Sequence, residues 1–238
     1  MNKYKKLLVL LVLTVLITVS WNYSSLAAVR MQADHLQYQD NQIIIEGNVL
    51  IRQEDMEIEA RKGDLNREQN KIVLEQGINM LFAEGEIRSA RMTGWLDSSR
   101  YVFEESVDFV YQGQSGSEDE QGQSKKEGEQ DRSGDSGEDT AAGRGFRLKA
   151  PYLEIKREQQ SFLARDGVSI DYRDKQLSGQ RAEFDEEGEE LTLLEEVVIE
   201  ESNGDWVKGE KAVIDLGEDR EEIIVEKDVE IKVELNQQ

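Results

Sequence analysis

Apolar and polar residues alternate along most of the chain, and the alternation recurs in six similar modules. Each module opens on a small residue that follows an apolar one two positions earlier: Ala33, Ala60, Ser89, Ala150, Gly179 and Gly209. A polar turn follows, and then two apolar residues two positions apart: Ile43/Ile45, Ile72/Leu74, Tyr101/Phe103, Phe162/Ala164, Leu191/Leu193 and Ile223/Val225. Six residues after the first member of each pair stands a β-branched residue: Val49, Ile78, Val107, Val168, Val197 or Val229. Side chains alternate between faces along a strand, so each module predicts antiparallel β structure with one buried face.

The length variation between modules supports the same interpretation. The distance from the small residue to the apolar pair is 10 in the first module, 12 in the next four and 14 in the last. A change of one residue would turn the rest of a strand inside out, whereas a change of two keeps the buried face buried. Only even changes occur, which predicts one continuous apolar surface.

Three glycines mark the strand interiors. Gly47, Gly77 and Gly167 fall one or two residues before the β-branched residue, where glycine often marks a bulge or a sharp bend. Modules three, five and six lack this glycine, so the glycine-marked bend is not a strict rule of the pattern.

The N-terminus reads as an export signal. Lys3, Lys5 and Lys6 precede an apolar run from residue 7 to residue 19, and Ala27-Ala28 offers small residues for cleavage. This order predicts a cleavable signal peptide over residues 1–28. The alternative is an uncleaved inner-membrane anchor formed by residues 7–21, although a spanning helix needs roughly 20 apolar residues.

A polar insertion divides the repeats. Residues 112–145 are rich in Gln, Gly, Ser, Glu and Asp, and they carry too little apolar surface to offset the entropy of ordering, which predicts disorder. The predicted organisation is therefore β-repeats over residues 29–111, the acidic insertion over 112–145, and β-repeats over 146–238.

Composition excludes several kinds of chemistry. The formal net charge is -22, which makes nucleic acid a poor partner. The chain has no cysteine and one histidine, His35, so disulfides and multi-histidine metal sites are excluded. We expect His35 to be a surface or edge residue. We predict no catalytic residue, no metal site and no cofactor, because acidic residues occur in nearly every turn and read as solvated surface.

Three segments of the first two modules resemble the repeat of the LptA/OstA-like family, which also occurs in LptC and in the N-terminal domain of LptD. They are Ala33-Asp34-His35-Leu36-Gln37-Tyr38, Ile45-Glu46-Gly47-Asn48-Val49-Leu50-Ile51 and Ile58-Glu59-Ala60-Arg61-Lys62-Gly63-Asp64-Leu65. The resemblance spans residues 31–111 well and 146–235 more loosely. It implies an all-β protein with an antiparallel, repeat-built β-jellyroll, open along one seam. The acidic insertion and the strong negative charge depart from the family pattern.

The resemblance also implies a function. Such proteins bind lipopolysaccharide acyl chains and form a bridge across the periplasm, so the expected location is the periplasm. The expected partners are lipopolysaccharide or a related glycolipid, and LptC-like and LptD-like β-jellyroll proteins joined by edge-strand pairing, with head-to-tail self-association as a further possibility. For that pairing we expect the last strand, Val229 to Leu235, or the first, near Val29 to Ala33, because an unpaired edge invites strand addition.

An apolar face that carries lipid would be built from the inward positions of the modules. The predicted lipid-binding residues are Ile58, Ile72, Leu74, Ile78, Met80, Phe82, Tyr101, Phe103, Val107, Phe109, Leu148, Phe162, Val168, Ile170, Leu177, Leu191, Leu193, Val197 and Ile199. The alternative is that they pack on each other as a closed sandwich core. Lys156-Arg157 reads as too isolated to form a head-group site.

Two other functions compete with lipid transport. The same strands could build a structural, self-assembling β-solenoid of the envelope without lipid cargo, which would form filaments and carry no lipid. A carbohydrate-active enzyme on a β-helix would need an acidic cluster in a cleft, and hairpins separated by turns fit that fold poorly. We therefore predict a non-enzymatic protein.

Overall fold

The computed structural model describes residues 29–113, 145–217 and 222–233. The predicted signal peptide, residues 1–28, lies outside the described residues, as do residues 114–144 of the predicted insertion.

The described residues form fourteen β-strands and one short 3-10 turn, Arg157–Gln159. The strands are β1 Arg30–Gln32, β2 His35–Gln39, β3 Gln42–Gln53, β4 Met56–Asn66, β5 Lys71–Phe82, β6 Gly85–Trp95, β7 Arg100–Tyr111, β8 Phe146–Lys156, β9 Ser161–Tyr172, β10 Lys175–Asp185, β11 Glu190–Glu201, β12 Trp206–Asp215, β13 Glu222–Glu226 and β14 Glu230–Lys232.

These strands form one antiparallel sheet in which successive long strands are neighbours. Strand β7 pairs with β8 across the insertion, and Tyr111 lies opposite Phe146, so the modules before and after the insertion belong to the same sheet. At each end the last long strand has two short partners: β1 and β2 both pair with β3, and β13 and β14 both pair with β12. The predicted antiparallel, repeat-built, all-β fold is confirmed.

The strand that carries the apolar pair of each module bends at two consecutive residues with left-handed φ, and in the last module these two residues lie between β13 and β14. The pairs are Gly47/Asn48, Gln76/Gly77, Glu105/Ser106, Asp166/Gly167, Glu195/Glu196 and Lys227/Asp228. Each pair immediately precedes the β-branched residue of its module, and the β-ladder register shifts there. The bend therefore also occurs in modules three, five and six, which lack the glycine that predicted it.

The small residue and the β-branched residue that recur in the modules are neighbours across the sheet. The β-branched residue after each of the first five bends lies directly opposite the small residue of the next strand, as in Val49 opposite Ala60 and Val197 opposite Gly209. A Cβ on Gly209 would lie 2.6 Å from Val225 Cγ1. Because the bend brings backbone and side chains close at this point, the position requires a small residue.

The bends fold the sheet back on itself into two facing halves. Half A holds the ladder segments 42–46, 62–66, 71–75, 91–95, 100–104, 152–156, 161–165, 181–185, 190–194 and 211–215, with β2 and β13. Half B holds 49–53, 56–60, 78–82, 85–89, 107–111, 146–150, 168–172, 175–179, 197–201 and 206–209, with β1 and β14.

Each half ends in a row of turns, and the two rows face each other across a seam. Row A includes turns 40–41, 67–70, 96–99, 157–160 and 186–189, and residues 216–217 after β12. Row B includes turns 54–55, 83–84, 173–174 and 202–205. The halves are staggered, because Arg157 of the β8–β9 turn meets Asp55 of the β3–β4 turn, while Tyr111 of β7 meets Phe184 of β10.

The stagger leaves one half uncovered at each end of the molecule. At the N-terminal end, Met31 of β1 packs against the core, whereas every residue of β2 is exposed. At the C-terminal end, Ile223 of β13 packs against the core, whereas every residue of β14 is exposed. The sequence predicts a last strand from Val229 to Leu235. In the described residues β14 spans Glu230–Lys232, and residues 234–235 lie outside the described residues.

Candidate functional site

The inner faces of both halves form a continuous apolar wall. Every predicted lipid-binding residue except Phe82 is buried there; Phe82 is partly buried and packs against the same cluster. The buried ones are Ile58, Ile72, Leu74, Ile78, Met80, Tyr101, Phe103, Val107, Phe109, Leu148, Phe162, Val168, Ile170, Leu177, Leu191, Leu193, Val197 and Ile199. The structure thus brings them together on one inner surface; their contact with lipid stays a prediction.

The wall is larger than the predicted set. It also contains apolar residues that the same period-two pattern could have identified. Ile43, Ile45 and Val49 belong to the first module, and each of the others stands two positions from a predicted member or opposite one: Ile51, Met56, Leu65, Ile87, Met92, Tyr111, Phe146, Leu153, Ile155, Tyr172, Phe184 and Ile214. These additions extend the wall from β3 to β12.

Aromatic side chains gather where the wall reaches the seam. The rings of Phe109 and Phe162, from opposite halves, are 5.6 Å apart between centroids, and those of Tyr111 and Phe184 are 5.2 Å apart. Phe162 and Phe184 stack at 5.1 Å. Aromatic pairs at these separations stabilise by about 0.5–1.5 kcal/mol beyond their burial, so this cluster helps to hold the halves together.

A cavity of about 190 Å³ opens at this aromatic cluster. Its apolar lining includes Phe82, Phe109 and Phe162, and its polar lining includes Glu84 and Arg157. Ligand pockets for small molecules typically measure roughly 300–1,000 Å³. The cavity therefore has both polar and apolar lining, as expected of a passage from solvent to the wall. In this conformation it is too small to hold a lipid.

An ion pair crosses the seam beside the cavity. Arg157 donates through one terminal nitrogen to both carboxylate oxygens of Asp55, at 2.9 and 2.7 Å. Partial burial raises the pKa of the Asp55 carboxyl, but the hydrogen bond and positive charge of Arg157 outweigh it and leave that pKa below its ordinary value. The ionised pair is therefore the form present at neutral pH.

A second polar contact crosses the seam between two residues that also line the cavity. The Tyr111 hydroxyl lies 3.5 Å from a carboxylate oxygen of Glu186, at the limit of hydrogen bonding. Burial and the negative charge of Glu186 raise the pKa of Tyr111, so the phenol stays protonated and able to donate.

Backbone hydrogen bonds run along row A. Consecutive turns are joined from Arg67 N to Asn41 O, Leu96 N to Asn70 O, Arg157 N to Ser99 O, Glu186 N to Gln160 O and Leu216 N to Glu189 O, at 2.8–3.1 Å. In row B, Gln112 N donates to Glu84 O at 2.9 Å. Each of these bonds joins neighbours within a row, whereas the polar contacts described above across the seam are made by side chains.

Comparison with known proteins identifies the family. A sequence model described as "LptA/(LptD N-terminal domain) LPS transport protein" matches residues 30–220, which is most of the chain. The chain belongs to this LptA/LptD N-terminal family. Its members are described as lipopolysaccharide transport proteins, as the resemblance predicted.

One solved structure is similar to this member of the LptA/LptD N-terminal family. It is LptH of Pseudomonas aeruginosa, described as the LptA-homologous periplasmic component of the conserved lipopolysaccharide transport device. The match covers 88% of this chain and 96% of that one at 9% identity, with a TM-score of 0.25. No curated protein sequence matches the chain.

The outer face of this family member carries ion pairs that stay within one half. Arg147 donates two hydrogen bonds of 2.8 Å to Asp108 in half B. Arg100 donates at 2.8 Å to Glu154 in half A, and Tyr152 donates to the same carboxylate at 3.0 Å. Hydrogen bonding by these cations lowers the pKa of both Asp108 and Glu154, so both carboxylates are ionised at neutral pH.

The remaining sequence expectations concern metal sites and membranes. His35 lies in the exposed strand β2, which confirms the prediction of a surface or edge residue. Across residues 29–113, 145–217 and 222–233, no group of three or more His, Cys, Asp or Glu side chains is placed to hold a metal ion. Within those ranges there is also no helix with the length and apolar character to cross a bilayer.

Proposed function

We propose that this protein binds the acyl chains of lipopolysaccharide, or of a related glycolipid, between its two sheet halves and shields them on the way from the inner to the outer membrane. The proposal places the protein in the periplasm, exported by a cleaved signal peptide over residues 1–28. Membership of the lipopolysaccharide transport family supports it. The observation that carries it is the unbroken apolar wall from β3 to β12.

The wall matches the main energetic problem of lipid transport. Exposing hydrocarbon to water costs about 0.8 kcal/mol per CH₂, so a chain of about twelve carbons faces a penalty near 10 kcal/mol. A wall shared by successive strands removes this penalty at every position along its length. The cargo can therefore move along the sheet without returning to water, while the charged outer face keeps the carrier soluble.

The uncovered ends of the molecule suit docking to similar domains. At the N-terminal end, Leu36 and Tyr38 of β2 are 42% and 67% exposed. At the C-terminal end, Val229 and Ile231 are 52% and 66% exposed. We propose that these ends pair with LptC-like and LptD-like β-jellyroll domains, or with further copies of this chain. Such pairing would cover the exposed half and extend the wall into the next domain.

Photo-crosslinking from the two faces tests lipid binding. In one variant p-benzoylphenylalanine replaces Phe162, which is 6% exposed on the inner wall; in the control it replaces Tyr152, whose ring faces Arg165 on the outer face. After incubation with lipopolysaccharide and illumination, we expect adducts from position 162 and none from position 152. Equal labelling, or none from either, would contradict an interior binding site.

Lipid analysis of the purified, signal-free protein provides a second test. Co-purified lipopolysaccharide or glycolipid, identified by mass spectrometry of an organic extract, is the expected result. A protein that carries no lipid but forms filaments at high concentration would instead favour the structural solenoid.

A further inference from the structure

The interior of the protein is closed in the conformation described. Wall residues such as Leu74, Phe103 and Leu193 are 0% exposed, and the cavity at the seam measures about 190 Å³. Protein cores are packed about as densely as organic crystals, so hydrocarbon cannot enter without displacing side chains. Loading with lipid therefore requires the two halves to separate.

The two halves are joined by backbone at the bends and by side chains at the seam, and this difference determines where they can separate. At the bends the backbone itself connects half A to half B, through left-handed pairs such as Gln76/Gly77. Along row A, backbone hydrogen bonds tie each turn to the next. Two side-chain contacts between described residues cross the seam, Asp55–Arg157 and Tyr111–Glu186. Separation at the seam breaks side-chain contacts and leaves the backbone ladders whole.

The ion pair has the position and geometry of a closing contact. Asp55 belongs to row B and Arg157 to row A, and they are 102 residues apart in the sequence. Arg157 lines the cavity, so the pair stands at the opening between solvent and the aromatic cluster. The two side chains are 43% and 22% exposed. An ion pair exposed to this extent is a weak contact that thermal motion or a ligand can break.

We propose that the Asp55–Arg157 ion pair is a latch on the seam, which must open before a hydrocarbon chain can pass sideways between the halves. This inference rests on the proposed function and deepens it, since it names the route of entry and an ion pair that must break along that route. The closed state competes with lipid binding, so weakening the latch raises the population that can accept cargo and accelerates uptake. The aromatic cluster behind the latch is the first apolar surface that an entering chain meets.

Latch variants test the proposal through the rate of uptake. The variants are Asp55→Asn, Arg157→Gln and the reversed pair Asp55→Arg with Arg157→Asp. Stopped-flow fluorescence with fluorescently labelled lipopolysaccharide gives the association rate. We expect the single variants to load several-fold faster than the wild type and the reversed pair to return toward the wild-type rate. Asp108→Asn is the matched control, because it breaks an ion pair that lies within half B.

A covalent tether tests the same point in the opposite direction. The chain has no cysteine, so Glu54→Cys with Glu158→Cys places two unique thiols next to the latch residues on opposite rows. A short bis-maleimide linker between them should reduce lipopolysaccharide uptake at least tenfold. The control is Ser98→Cys with Glu158→Cys, which tethers two turns of row A and should leave uptake unchanged. Thermal unfolding of each tethered protein shows whether it is folded.

The outcomes separate the latch from the function it serves. If the latch variants take up lipopolysaccharide as fast as the wild type, and the cross-seam tether does not change uptake, the latch is overturned. Lipid binding would still stand. A wild type that takes up no lipopolysaccharide would overturn both. Faster uptake in Asp108→Asn as well would also overturn the latch, because the effect would then follow from loss of any ion pair.

Discussion

Gly77 and Glu196 occupy equivalent places in β5 and β11: each has a left-handed φ, 78° and 55°, and each directly precedes the β-branched residue of its module. Glycine adopts this conformation freely, whereas other residues do so at a cost of roughly 1–2 kcal/mol. The second glutamate of Glu195/Glu196 is therefore held in an unfavourable conformation by the fold around it.

Replacing that glutamate by glycine should stabilise the protein. Relief of the backbone conformation, roughly 1–2 kcal/mol, exceeds the entropy lost by ordering a glycine, roughly 0.5–1 kcal/mol. We expect Glu196→Gly to raise the free energy of unfolding by about 0.5–1 kcal/mol, measured by urea denaturation. Glu200→Gly, on the same strand and outside the bend, should lower it instead. A loss of stability in both variants would contradict a strained bend.

The aromatic cluster should contribute unequally to stability. Phe109 lies against the rings of Phe82, Tyr111, Phe146 and Phe162 and is 2% exposed. We expect Phe109→Ala to lower the free energy of unfolding by about 3–5 kcal/mol, as for buried aromatic residues generally.

Phe82→Ala is the comparison for Phe109→Ala, because Phe82 is partly buried at the edge of the same cluster. It should lower the free energy of unfolding by less than half as much. Equal losses in urea denaturation would mean that Phe82 is as enclosed as Phe109.

Protonation of Glu154 at low pH should lower the free energy of unfolding. The pKa of Glu154 is lowered chiefly by the hydrogen bond from Arg100, and the carboxylate is 13% exposed. A lowered pKa stabilises the fold above the ordinary value of about 4.3, and this contribution is lost as the pH falls through the lower folded value. Glu154→Gln should therefore be less stable than the wild type by about 1 kcal/mol at pH 7. The difference should shrink below about pH 4. A difference that is the same at pH 7 and pH 3 in urea titrations would exclude this role.

The uncovered C-terminal end should control association. Ile231 is 66% exposed in β14, and a charge there would oppose docking of another apolar surface. We expect Ile231→Asp to weaken concentration-dependent association, with itself or with an LptC-like domain, in sedimentation velocity. Leu81→Asp is the matched control, because Leu81 is 42% exposed on β5, away from both ends. Equal weakening by both changes would point to a non-specific effect of charge.

The sequence predicted the strands and the inner face because both depend on local periodicity. Ile72, Ile78, Phe162 and Val168 lie inside, as the parity of their spacing required. Even the module that departs most from the pattern has a local reason: a Cβ on Gly94 would lie 3.2 Å from the Tyr101 ring, so glycine at this position makes room for that ring.

Features that depend on distant parts of the chain could not be predicted in this way. The bend at Glu105/Ser106 contains no glycine that would predict it. It arises because the neighbouring strands β6 and β8 bend at the same level of the sheet. The Asp55–Arg157 pair depends on how far one half is shifted along the other, which no local pattern records. The sequence alone therefore shows Arg157 only as part of an isolated basic pair, Lys156-Arg157.

The meander of similar hairpins has a consequence for size. Neighbouring strands lie roughly 4.8 Å apart, so each added hairpin lengthens the molecule by roughly 10 Å without altering its cross-section. Duplication or loss of one module of about thirty residues would therefore change the reach of such a protein in regular steps. A change in the number of hairpins would therefore match such a protein to a wider or narrower gap between two membranes without a change of fold.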